Sequence, residues 1–465
     1  MTTATEATLL LSAVLIATLA VLCHWVDLTG CLWISLALYA LLVYLAWRRF
    51  GGGRHPCFLF LGMILLFQMG RLIGYVAGAA PDPFEVVVQT LLPLQVSAAA
   101  SEITLLIILL SATCVYAVCS WNVAPVTLRP GAGRQWLRAA YALLALTFPF
   151  VLYKNYEYLQ FIRSHGGYLA IFTQSQDVAE SAGGAVRLLS LFAYNAFLLV
   201  YVLERNGKRL AWVTTAFLST SVLELAIGMR GKVFLFLITL WFLRNLKTGR
   251  KFRLGTLVAV ALAGSFLAVA ISGFREMRST ALIGPAGFVV GQGISMGVTQ
   301  IAVEDRQLFA PHVRSYMESE LLQAFYSAPH FGQGELFDND ISVYLNAAAY
   351  RQGFGAGSSY LAEAWIAGGI AGVIVASVLI GLLLRWLHTL GRHWIGAVAV
   401  AILLPSVIYL PRAQMLSPLA TALKNGIAFV PMIPCLWFLR YLLELFDNSR
   451  PEPVIESGLL RGPIP

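Results

Sequence analysis

Apolar runs of about 20 residues recur along this chain, each long enough to cross ~30 Å of hydrocarbon as a helix. They predict about twelve spans, near residues 7–25, 31–47, 57–79, 103–121, 136–153, 185–203, 210–227, 233–243, 254–274, 361–387, 394–410 and 426–443. The pattern has one long break, from Arg275 to Tyr360. Inside it, an apolar stretch punctuated by Gly284, Gly287, Gly291, Gly293 and Gly297 reads as a re-entrant or interface-lying helix. Val313, Met317, Leu321 and Phe325 then recur at every fourth position and predict an amphipathic helix on the outer surface. Pro, Gly, Asn and Asp are frequent from Ser327 to Ser359, which predicts a loop holding a short helix near 341–350. The expected fold is an all-α polytopic membrane protein, with residues 1–465 forming a single integral membrane domain.

Composition agrees with this pattern. The chain is 58% hydrophobic and 12% charged, where a soluble domain carries about 25% charged residues. A net charge of +9 would raise nucleic acid as a partner for a soluble protein. Here it reports topology instead, and no nucleic acid is expected. Arg48, Arg49, Arg54, Arg129, Arg134, Arg138, Arg205, Lys208, Arg209, Arg244, Lys247, Arg250, Lys251, Arg253, Arg385 and Arg392 share one face if the spans alternate. That face is the cytoplasm, and both termini fall on it, with 444–465 as a cytoplasmic tail. The opposite, periplasmic face receives the 80–102 segment, the 154–184 loop and the large 275–360 segment. Cys23, Cys31, Cys57, Cys114, Cys119 and Cys435 form no CxxC and are expected to have no paired His nearby, so they read as small buried hydrophobes.

Three signals of chemistry gather on the periplasmic side. Arg230 sits at a tight turn, Arg275 and Arg278 leave the ninth span, Arg351 precedes a glycine-serine run, and Arg412 follows the eleventh span. Guanidinium grips phosphate oxygens at two points, so these five predict a site for a phosphorylated lipid; interfacial snorkelling is the plain alternative. Arg71, Glu224 and Glu363 lie inside apolar spans. Such residues cost ~2.5–3.5 kcal/mol each at a helix centre and usually face an interior cavity. In the run from Gly353 to Glu363, glycine backbone can approach an anion, and Ser358 and Ser359 can equally be N-caps of the tenth span. Glu318, Glu320, His330, Glu335, Asp338 and Asp340 are candidate bases in the long segment. Glu318, Glu320, His330 and Glu363 are the narrowest set. No spacing resembles a metal site, and no G-x-S-x-G nucleophile elbow is present.

Gly355-Ala-Gly-Ser-Ser, Glu363, Gly368-Gly369 and Gly372 together resemble a stretch of the Wzy-type polysaccharide polymerases. So do Gly228-Met-Arg-Gly with the span, basic loop and Arg275 that follow it, and Gly-Gly-Tyr168-Leu-Ala-Ile-Phe in the 154–184 loop. Twelve spans with two unequal large outer loops match that family's layout. Some members carry an Arg-x10-Gly pattern in those loops; no Arg of the 275–360 segment fits it, and no residue is carried over from it. The resemblance implies metal-independent, cofactor-free polymerisation of undecaprenyl-diphosphate-linked oligosaccharide repeat units at the periplasmic face of the bacterial inner membrane. It implies lipid-linked glycans as partners, together with the bilayer, a chain-length regulator and a flippase. On this basis Arg230, Arg275, Arg278, Arg351 and Arg412, with Ser358 and Ser359, would hold diphosphate. One of Glu318, Glu320, His330 and Glu363 would supply the base. An O-antigen ligase, a polysaccharide or lipid transporter and a non-catalytic scaffold remain as alternatives.

Overall fold

The computed structural model describes residues 27–51, 54–79, 82, 84, 96–121, 126–128, 134–165, 177, 183–227, 229–249, 285–322, 336–353 and 355–448. These residues form helices and connections, with no strand among them. In chain order the helices are α1 (Leu28–Arg49), α2 (Pro56–Phe67), α3 (Gly70–Val76), α4 (Ala98–Ser120), α5 (Arg134–Ser164), α6 (Gly184–Leu203), α7 (Gly207–Ala226) and α8 (Arg230–Thr248). They continue as α9 (Pro285–Gln292), α10 (Ile294–Glu304), α11 (Arg306–Phe309), α12 (Val313–Leu322), α13 (Phe337–Arg351), α14 (Tyr360–Leu390), α15 (Trp394–Tyr409) and α16 (Ser417–Asn448). Seven of them (α1, α4, α5, α6, α14, α15 and α16) are long and apolar enough to cross a membrane, and α2 with α3 make an eighth candidate bent by 60°. The protein is therefore a multi-pass membrane protein.

Expected spans at 210–227 and 233–243 coincide with α7 and α8, but these helices are not among the seven. Lys208, Arg209 and Glu224 load α7, while Arg230, Lys232, Arg244 and Lys247 load α8 with charge. The expected spans at 7–25 and 254–274 and most of the 154–184 loop lie outside the described residues. Where that loop was expected to begin, α5 instead continues helical to Ser164.

The glycine-punctuated stretch forms α9, half-buried with Gly291 exposed, and α10, which is buried. Residues 295–302 of α10 are all buried, packed against α4 and α14. Helices α3 and α9 meet backbone to backbone. A Cβ on Gly293 would sit 2.6 Å from the Arg71 nitrogen, and one on Gly70 would sit 2.6 Å from the Val289 carbonyl oxygen. Helix α12 forms as the four-residue spacing predicts, but its rotation differs. Tyr316 and Glu320 are its buried residues, while Val313, Met317 and Leu321 are only half-buried. The helix therefore turns an acid inward.

Two apolar cores result. The larger runs through the bundle and includes Tyr39, Phe60, Tyr116, Phe197 and Phe242. The smaller joins Val298, Phe309, Tyr316, Phe337, Ile341 and Ile366, so it fastens α10 to α13 onto the start of α14. That start is also pinned to α4: Ser111 Oγ shares hydrogen bonds with Tyr360 OH at 2.7 Å and with Ser377 Oγ. Helix α14 is broken at Gly368 and Gly369. Gly369 has φ +58° and ψ −141°, a conformation essentially restricted to glycine.

Candidate active site

Three acids converge where α12, α13, α14 and α16 meet. Glu363 lies in the first turn of α14. Its Oε1 accepts from Ser358 Oγ at 2.5 Å, and its Oε2 accepts from the Met415 N–H at 2.8 Å. Asp338 lies in the first turn of α13, half-buried, and its Oδ1 accepts from Gln414 Nε2 at 2.9 Å. Glu320, near the end of α12, is 3% exposed. It faces the N–H groups of Leu416 and Ser417, where α16 starts. Such a helix start favours a carboxylate. Glu320 Oε1 is buried with no hydrogen-bond partner among the described residues.

These carboxyls feel one another, and their environments push them apart. Burial pushes Glu320 up to about 9; the charges of Glu363 and Asp338 add to the rise, and the Leu416 and Ser417 N–H groups oppose it. Burial raises Asp338 to about 6, against the hydrogen bond from Gln414 and the nearby backbone N–H groups. At neutral pH Glu320 therefore keeps its proton while Asp338 is mostly ionised. One site thus holds a proton donor beside a proton acceptor.

The connector between α15 and α16 holds this site together. It opens with the 3-10 turn Leu410–Arg412. The Pro411 carbonyl accepts from Gln68 Nε2 at 2.7 Å, and the same nitrogen donates to Ser359 Oγ at 2.9 Å. Gln68 Oε1 accepts from Thr299 Oγ1 at 3.3 Å. Gln68, fully buried at the break between α2 and α3, thus ties four segments together. Arg412 Nη1 donates to Gln292 Oε1 at 2.9 Å, and its guanidinium lies 5.5 Å from the centre of the Phe67 ring.

Of the residues anticipated from sequence, Ser358 and Glu363 are hydrogen-bonded, Glu320 lies within range of the Glu363 charge, and Ser359 and Arg412 flank them. Ser359 is also the N-cap of α14, accepting from the Leu361 N–H. Glu318 faces outward and pairs with Arg314 one turn away at 2.7 Å. Arg351 is exposed and bonds the Ala347 carbonyl of its own helix. Arg275, Arg278 and His330 lie outside the described residues, as does the side chain of Arg230, whose backbone starts α8. Glu224 pairs with Lys232. Asp338, Gln414 and Gln68 were absent from the narrow candidate set. Asp338 was one acid among several in its segment, and the two glutamines carry no charge to betray them.

A separate polar group lies at the far end of α14. Ligand atoms of His55, Cys57 and Cys119 lie within 4.8 Å of one another, all three residues buried. The His388 ring sits 4.2 Å from that of His55. Two of the cysteines therefore do have histidine beside them: Cys57 two residues after His55, and Cys119 brought from α4. This group could hold a metal ion. It lies 25 residues of α14 from Glu363, or roughly 37 Å along the helix, so it takes no part in the acid site.

The model of the family described as O-antigen polysaccharide polymerase Wzy matches residues 6–444, nearly the whole chain and every element of the acid site. No curated protein and no solved structure matches it. A multi-pass helical bundle matched over this length belongs to the Wzy O-antigen polysaccharide polymerase family.

Proposed function

We propose that this chain extends a glycan carried on undecaprenyl diphosphate by transferring it to a sugar hydroxyl of the next lipid-linked repeat unit. The reaction takes place at the periplasmic face of the inner membrane and needs no metal. The observation that carries this reading is the meeting of Glu320, Asp338 and Glu363 at one helix junction. The acceptor hydroxyl oxygen attacks the anomeric carbon of the growing chain, and Asp338 takes its proton. The bond from that carbon to the diphosphate breaks, and its electron pair leaves with the lipid-bound diphosphate. Glu363, fixed by Ser358 and Met415, holds the connector that presents Gln414 to Asp338. Protonated Glu320 donates a hydrogen bond to a sugar oxygen. Arg412, with Arg230, Arg275, Arg278 and Arg351, offsets charge developing on the leaving group. A chain-length regulator and a flippase are the expected protein partners.

The test is elongation by the purified protein supplied with lipid-linked repeat units. Asp338→Asn keeps the shape and removes the base, so elongation should fall by about 100-fold or more. A product ladder of normal length and rate from Asp338→Asn would overturn the assignment.

A further inference from the structure

The buried group of His55, Cys57, Cys119 and His388 is not used by the reaction proposed above. It forms where α2 begins and where α4 and α14 end. His388, the least buried of the four, is 6% exposed. One ligand atom each from His55, Cys57 and Cys119 lie within 4.8 Å of one another. The His388 ring sits over His55, 4.2 Å between centres. Two of the helices touch closely here. A Cβ on Gly381 of α14 would stand 2.8 Å from Val118 of α4, and Cys119 Sγ donates to the Gly381 carbonyl at 3.4 Å.

Core packing accounts for the thiols, because free cysteine behaves as a small hydrophobe. It does not account for the histidines. His55 caps α2, with Nδ1 accepting from the Cys57 N–H at 3.1 Å. As a cap alone it is a costly choice. Its Nε2 is buried with no hydrogen-bond partner among the described residues. Serine or asparagine would cap the helix without burying that nitrogen. A second buried imidazole beside it adds to the polar surface withdrawn from water. Imidazole and thiolate together are the donor set of a zinc site.

The chemistry of such a site fits its surroundings. Ligand atoms around tetrahedral zinc lie roughly 3.5–3.8 Å apart, so side-chain shifts of about 1 Å would close the set. Each thiol loses its proton on binding, and two thiolates cancel the charge of the ion. Neutral imidazoles add none, so the loaded site carries no net charge into the bundle. Loading costs one weak contact: the ion takes the Nδ1 lone pair that the Cys57 N–H now holds, and Nε2 keeps the ring proton. Alternation of the spans turns this end toward the cytoplasm. Thiols stay reduced there, available to a metal rather than joined in a disulfide.

We propose that His55, Cys57, Cys119 and His388 form a structural zinc site that fastens the start of α2 to the ends of α4 and α14. His55 and the two cysteines supply three ligands, and His388 turns its ring to supply the fourth. The ion secures the end of α14 opposite Glu363 and leaves glycosyl transfer itself free of metal.

Metal content of the full-length protein, purified in detergent without a histidine tag, tests this. Elemental analysis should find roughly one zinc per chain. Cys57→Ser and Cys119→Ser should each lose nearly all of it. His388→Ala keeps three ligands and should bind zinc about tenfold or more weakly. In the wild type, zinc should shield both thiols from a maleimide until a chelator is added, and chelation should lower Tm. Wild type loaded with Co2+ should show the intense visible bands of a tetrahedral site with sulfur-to-cobalt charge transfer, a readout that needs no variant. Wild-type protein that carries no zinc and takes up neither ion overturns the proposal. So does zinc retained when both cysteines are serine, which would mark adventitious binding elsewhere. A Cys57–Cys119 disulfide, found after alkylation in intact cells, overturns it too.

Discussion

At the scale of single residues, Glu320 and Asp338 divide proton donation and acceptance between them. Because Glu320 already carries a proton near neutrality, Glu320→Gln replaces one neutral group with another. Elongation at pH 7 should stay within about tenfold of wild type, against about 100-fold or more lost in Asp338→Asn. The same shift affects stability. The folded value, about 9, lies above the ordinary 4.5, so the folded state binds the proton more tightly between those values. Stability is then greatest at low pH and declines as pH rises toward 9. Thermal unfolding in detergent should show Tm falling from pH 5 to pH 9, less steeply in Glu320→Gln. A wild-type Tm that does not fall over that range would count against a buried, protonated Glu320. Only part of this was legible beforehand. Glu363 stood out because an acid in an apolar run is costly. Glu318 and Glu320 look alike in sequence, and only the rotation of α12 sends one to Arg314 and the other inward.

At the scale of elements, hydrophobic runs located α1, α4, α6, α14 and α15 closely, because a helix that spans lipid must be apolar over its length. They were less informative where glycine permits backbone contact. The stretch at 285–304 read as a re-entrant or interface-lying helix; it forms two short helices, α9 half-buried and α10 buried, with close backbone contact through Gly70 and Gly293. The break in α14 was visible only as a Gly-Gly pair. Its geometry separates two neighbouring substitutions. Gly369→Ala forces a side chain onto φ +58° and should destabilise by about 1–3 kcal/mol. It should also disturb the short N-terminal arm that carries Glu363. Gly368→Ala, at φ −151° with open space beside it, should be milder. Thermal unfolding and elongation of the two variants check this; equal damage from both would show that the bend does not depend on Gly369.

At the scale of the whole molecule, alternating spans and basic loops predict that the acid site faces the periplasm. Arg351→Cys, exposed on α13, should react in intact cells with a maleimide that cannot cross the membrane. Arg392→Cys, in the connection from α14 to α15, should react only after permeabilisation. The reverse pattern would invert the topology. One helix, α16, begins at the N–H groups that face Glu320. Phase along that helix is therefore a working parameter of the protein. One alanine inserted after Leu419 would turn everything beyond it by about 100° and advance it by about 1.5 Å relative to the acids. The N–H groups that face Glu320 would then be out of phase with the part of the helix that the bundle grips, and chain growth should stop.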